Sequence, residues 1–172
     1  MPASSGAVAE LGLAEFNAAG VARVRPLLLT CLAVPRWADA VLAGRPYADR
    51  AELLAAARRA ADPLVPDEVR AAIADHPRIG ERPVRSSPSA GWSRSEQSGV
   101  DDAAVAEFRA ANAEYERRFG QVYLVCANGR SGGELLADLR SRMGNDPETE
   151  LRVAGRELAA IALLRLEKAV PA

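Results

Sequence analysis

Apolar side chains recur three or four residues apart along most of this chain, and strict alternation of apolar and polar positions is scarce. That spacing is the repeat of an amphipathic helix, and the dominance of alanine and leucine over β-branched residues reinforces it. The pattern predicts a short helix over Leu13–Ala19 and a second over Val21–Ala33, with Val21, Val24, Leu28 and Leu32 inward. Pro26 kinks that second helix or marks its true start. Pro35 begins a third helix through Trp37 and Val41, which Gly44 ends. Arg45-Pro46-Tyr47 reads as a connector, after which Tyr47 or Asp49 opens a helix to Ala61 with Leu53, Leu54 and Ala57 inward. Pro66-Asp67-Glu68 has proline in a first turn followed by acids at the positive end of the dipole. The helix it starts carries Val69 and Ile73 and stops at His76-Pro77, because a residue before proline is pushed out of the helical region.

Arg78 to Gly91 breaks the periodicity with Gly80, Pro83, Pro88 and several serines, as a mobile stretch or a lid does. Ser93-Arg94-Ser95-Glu96 then has the capping-box pattern. Asp101 or Asp102 starts a long helix with Val105, Phe108, Ala111 (or Asn112), Tyr115 and Phe119 on one face, ended by Gly120. Val122–Cys126 is a short apolar run suited to an extended conformation, but one such run makes no sheet. Gly129-Arg130-Ser131-Gly132-Gly133 lacks the lysine of a phosphate loop and reads as a turn plus helix cap. Ser131 and Glu134 form a second capping box, opening a helix to Arg142, and Asp146-Pro147-Glu148 starts a last helix that continues to Lys168. The expected architecture is an all-α, single-domain bundle of about seven to nine helices spanning residues 1–172.

Composition narrows the function. Lys plus Arg (22) nearly balances Asp plus Glu (23), so there is no electrostatic case for nucleic acid or an anionic membrane. No apolar run is long enough to span a bilayer, and neither end carries a targeting address, so the cytoplasm is the expected compartment. Cys31 and Cys126 sit in apolar settings and read as free buried thiols, with a disulfide the alternative. With one histidine and two separated cysteines, no metal site is expected.

Two residues stand out chemically. His76, the single histidine, sits at a helix exit beside the irregular stretch. It is either a structural histidine or an acid/base group able to exchange a proton near neutral pH. The other is Arg165. Leu151, Ala154, Leu158 and Ile161 form the apolar stripe of the last helix, and its next member is Arg165. A guanidinium there either snorkels to solvent or bonds a neighbouring carboxylate, or it is a planar fork held to grip a carboxylate or planar amide. Glu96 has the same double reading, as helix cap or as functional carboxylate, and Gln97 adds a primary amide. One imidazole, one carboxylate, one amide and one guanidinium suit a small, polar, planar anion.

Taken in order, several short motifs resemble a known family. They are Phe16-Asn17, Cys31, Arg36-Trp37, Arg45-Pro46-Tyr47, His76-Pro77-Arg78-Ile79-Gly80 and the Ser-x-x-Glu-Gln-x-Gly of residues 93–99. Asn112-x-x-Tyr115-x-x-x-Phe119-Gly120, Val125-Cys126-Ala127-x-Gly129-Arg130 and Ile161-x-x-x-Arg165-Leu166 complete the set. Together they are similar to the 2-oxo-4-hydroxy-4-carboxy-5-ureidoimidazoline (OHCU) decarboxylases, enzymes of urate breakdown to allantoin. The Pro/Ser-rich segment from Glu81 to Trp92 is longer than that pattern. The resemblance implies a homodimer, no cofactor, a small-molecule ureide substrate and decarboxylation to (S)-allantoin. It implies that His76 is catalytic, with Glu96 and Arg165 beside it. Contacts to the ligand would come from Pro77, Ser93, Arg94, Ser95, Glu96, Gln97, Tyr123, Leu124, Val125, Cys126, Ala127 and Arg165. A different ureide-pathway hydrolase or isomerase, or a non-catalytic helical interaction module, are the alternatives; CO2 release separates them.

Overall fold

A computed structural model describes residues 10–76 and 105–172. They form eight helices: α1 (Leu13–Ala18), α2 (Val21–Cys31), α3 (Pro35–Ala43), α4 (Arg50–Ala60), α5 (Pro66–Ile73), α6 (Val105–Phe119), α7 (Gly132–Arg142) and α8 (Pro147–Ala169). No strand occurs among the described residues, as the periodicity requires. None of these helices is long and apolar enough to cross a membrane.

The helix starts follow the capping chemistry. Asp49 accepts the Glu52 N–H at 2.8 Å and Asp146 accepts the Thr149 N–H at 2.9 Å. Those hydrogen bonds from Thr149 hold the Asp146 carboxyl below its ordinary range. Ser131 and Glu134 form the reciprocal box: Ser131 Oγ accepts the Glu134 N–H and Glu134 Oε2 accepts the Ser131 N–H. Gly129, at φ 75°, supplies the left-handed residue of the turn in which Arg130 N–H donates to Ala127 C=O. Pro26 lies inside α2 rather than at its start.

Helix α8 is the spine, with α2, α4 and α5 laid against it. Its stripe of Leu151, Ala154, Leu158, Ile161 and Leu166 is buried in one large cluster with Val24, Leu28, Trp37, Leu53, Ala57, Val69 and Ile73. Gly155 marks the α5 crossing: a Cβ there would stand 3.2 Å from Val69 Cγ2. A second cluster of Phe108, Tyr115, Tyr123, Val125, Ala127, Leu135, Leu136 and Leu139 lies between α6 and α7. Val21 departs from its predicted inward place and is 53% exposed, because the first residue of α2 lies beyond the end of the core its stripe covers. Asn112, not Ala111, takes the buried position on α6. Cys31 is buried and Cys126 half-buried, and no disulfide joins them.

The N-terminal motifs serve the fold. Asn17 and Tyr47 exchange two backbone-to-amide hydrogen bonds at 2.9 Å, and Arg45 Nη1 donates to the Phe16 and Ala19 carbonyls at the end of α1. Arg36 forks onto Glu68 and also reaches the Ala60 carbonyl, while the Trp37 indole N–H donates to Ala57 C=O. The Arg36 hydrogen bonds hold the Glu68 carboxyl below its usual range. Arg45 and Arg36 thereby reach carbonyls at the ends of α1 and α4, where the last carbonyls of a helix lack partners in the helix itself.

Candidate functional site

His76 sits in the turn that follows α5, just past the last helical residue Ile73. Its backbone N–H donates to Ile73 C=O at 2.9 Å, and its Nδ1 lies 3.0 Å from Ala72 C=O. A carbonyl only accepts, so this is a hydrogen bond when Nδ1 carries the proton. That tautomer makes Nε2 the basic nitrogen. Two anchors on one helix end thus fix both the main chain and the ring. The side chain is half-buried.

Arg165 is 1% exposed, which removes the snorkelling reading. Its Nη1 donates to Thr30 C=O at 3.3 Å, in the last turn of α2. A buried guanidinium on an apolar stripe is costly without polar partners, and the α2 carbonyl is one of them. The bond uses one of the five donors of the fork.

Tyr123–Ala127 crosses between the two clusters. Arg142 Nη1 donates to Leu124 C=O at 2.6 Å, and Glu157 Oε2 accepts the Cys126 N–H at 2.7 Å. Arg142 is in turn held by Glu150, through Nε at 2.8 Å and Nη2 at 2.5 Å. The Tyr115 hydroxyl donates to the same Glu150 oxygen, and Asn145 Nδ2 donates to the other at 2.9 Å. The Tyr123 hydroxyl donates to Asp138 at 2.5 Å, with the Arg142 guanidinium 4.8 Å above its ring. Burial, reinforced by Glu150 and Asp138 respectively, pushes both phenols up well beyond the ordinary tyrosine range. Burial works against the charge on Arg142, but the Glu150 hydrogen bonds outweigh it and keep the guanidinium charged.

Of the predicted site residues, His76, Tyr123–Ala127 and Arg165 are therefore placed. Pro77, Ser93, Arg94, Ser95, Glu96 and Gln97 lie outside the described residues, as do the proposed lid and the first capping box. The placed residues have separate anchors, and Tyr123, Val125 and Ala127 belong to the second cluster, whereas the surroundings of the others lie in the first. Ala72, Ile73, Leu124, Ile161, Ala162 and Leu166, which adjoin or belong to them, are all in the large cluster. A surface cleft of about 270 Å³ between Asp62, Pro63, Thr149, Arg152 and Arg156 involves none of them.

Sequence reasoning missed the Arg142–Glu150–Tyr115 network and Glu157. One signal was present. Extending the α8 stripe one turn back from Ala154 meets Glu150, the same anomaly that exposed Arg165.

Comparison with known proteins places the chain in a family. The profile of the OHCU decarboxylase family matches residues 17–167. A 2-oxo-4-hydroxy-4-carboxy-5-ureidoimidazoline decarboxylase of Amia calva is 31% identical over 138 residues, 77% of this chain and 79% of that protein. A uric acid degradation bifunctional protein of Arabidopsis thaliana is 37% identical over 103 residues, 56% of this chain and 32% of that protein. A crystal structure of OHCU decarboxylase in the presence of (S)-allantoin superposes with a TM-score of 0.66 at 27% identity, covering 81% of this chain and 94% of that one.

Proposed function

Because this chain belongs to the OHCU decarboxylase family, we propose that it removes CO2 from 2-oxo-4-hydroxy-4-carboxy-5-ureidoimidazoline to give (S)-allantoin in urate breakdown. His76 carries the chemistry. With Nδ1–H committed to Ala72 C=O, its Nε2 lone pair is the group available for proton exchange.

The substrate loses CO2 from a ring carbon that also bears a hydroxyl. The carbon–carboxylate bond breaks, and its electron pair moves into the adjacent carbon–nitrogen system to leave an enol-like species. The ring nitrogen that receives those electrons takes up a proton, and the species then loses the hydroxyl proton and gains one on the neighbouring carbon, on one face only, which gives the S configuration. Overall one proton is consumed and one CO2 released. His76 Nε2 exchanges the critical proton, from the hydroxyl or to the developing carbanion. Arg165 bonds substrate oxygens and stabilises charge as it forms. Glu96 orients His76 or accepts ring N–H bonds, while Gln97, Pro77, Ser93–Ser95 and the backbone of Tyr123–Ala127 hold the ring and ureido groups. These roles rest on the match of motifs in order along the chain and, for the placed residues, on their anchors. The enzyme acts as a cytoplasmic homodimer without a cofactor.

The test is CO2 release from freshly generated OHCU, followed by circular dichroism of the product. Stoichiometric CO2 with an (S)-allantoin signal is expected. Consumption of OHCU at the spontaneous rate, with racemic product, would overturn the assignment.

A further inference from the structure

The stretch Val122–Ala127 divides its side chains by parity. Tyr123, Val125 and Ala127 belong to the second cluster, whereas Leu124 belongs to the first and Val122 and Cys126 pack against it. A repeat of two is that of an extended chain, here wedged between two cores. An extended chain must find partners for its backbone edges, and a neighbouring strand usually provides them. Among the described residues there is no strand, and side chains do this work instead. Arg142 takes Leu124 C=O and Glu157 takes Cys126 N–H. Groups on residues two apart in an extended chain face the same edge, so both bolts close one edge. Both also lead to α8. Glu150, which holds Arg142, and Glu157 are seven residues apart, two turns along the same helix face. Helix α8 thus stands in for the missing strand.

We propose that Glu157 is a positioning residue for the reaction. Its carboxylate fixes the register of Cys126, so that the opposite backbone edge of Tyr123–Ala127 is presented to the planar ring of the substrate at a set height and angle. This rests on the reading of Tyr123–Ala127 as ligand-binding given above. Glu157 does not touch the reacting atoms. Its effect passes through one backbone N–H.

Glu157→Met keeps the length of the side chain and removes the acceptor, whereas Glu157→Gln keeps an acceptor without the charge. Wild type and both variants are compared by KM and kcat for OHCU, by calorimetric affinity for (S)-allantoin and by hydrogen exchange at the Cys126 amide. The methionine variant should raise KM and the allantoin Kd about tenfold, the scale of one lost buried hydrogen bond. It should also lose protection at Cys126 while keeping the wild-type pH profile of kcat/KM. The glutamine variant should stay within about threefold of wild type. Should the methionine variant not fold, Glu157→Asp, which withdraws the acceptor by one methylene, is read with the same expectation. A methionine variant that binds and turns over like wild type, a loss confined to melting temperature, or a glutamine variant as impaired as methionine would overturn the role. Failure of wild type to bind (S)-allantoin would instead overturn the underlying reading of the segment, and it is seen before any variant is examined.

Discussion

Arg165 serves the fold and, in the proposed mechanism, the chemistry. Its burial and its bond to Thr30 C=O tie the C-terminal part of α8 to the end of α2. Lysine can donate to the same carbonyl but has no planar fork. Arg165→Lys should therefore fold, with at most about 1 kcal/mol lost in urea unfolding, yet lower kcat/KM roughly ten- to a hundred-fold. Unchanged turnover with reduced stability would make Arg165 structural only. The two buried phenols allow a different test. Tyr115 and Tyr123 hold their protons in the folded state above the ordinary value of 10.0. Above that pH the unfolded chain binds fewer protons than the folded one, so stability falls as pH rises. The stabilising contribution is complete below about pH 10 and declines at up to about 1.4 kcal/mol per pH unit for each phenol. Urea midpoints between about pH 8.5 and 11 should drop less steeply in Tyr115→Phe than in wild type. At this scale the sequence was informative about Arg165, since a charge on an apolar stripe is visible as a break in period. It was silent on Glu157, because a glutamate beside a stripe is the ordinary solvent-facing residue of a helix.

At the scale of elements, helix positions were legible because caps and period agree: Asp49, Ser131 and Asp146 all make the bonds their sequence contexts predict. The segment Val122–Ala127 was only half legible. Its residues are apolar on both faces, so no alternation in the sequence showed that it separates two cores. Nor did local pattern show what holds it, since Arg142 and Glu150 belong to different helices joined by a turn. Their pair is nearly dry, with side-chain exposures of 6% and 1%. Removing one member leaves a buried charge, so Arg142→Met should cost about 3–5 kcal/mol in urea unfolding. A loss under about 1 kcal/mol would place the anchoring of Leu124 elsewhere.

At the scale of the molecule, the two clusters are joined through α8, which contributes the stripe of one, bolts the seam segment and carries Arg165. Helix content should dominate the far-ultraviolet circular dichroism, and sizing at micromolar concentration should give a dimer; a clean monomer would contradict the proposed assembly. The most direct test of the whole account is the rate of OHCU decarboxylation by His76→Asn beside wild type, with circular dichroism confirming that both are folded. Asparagine retains a side-chain amide able to donate to Ala72 C=O but has no basic nitrogen, so turnover should fall about a hundredfold or more. A folded His76→Asn enzyme that decarboxylates OHCU at the wild-type rate would contradict it.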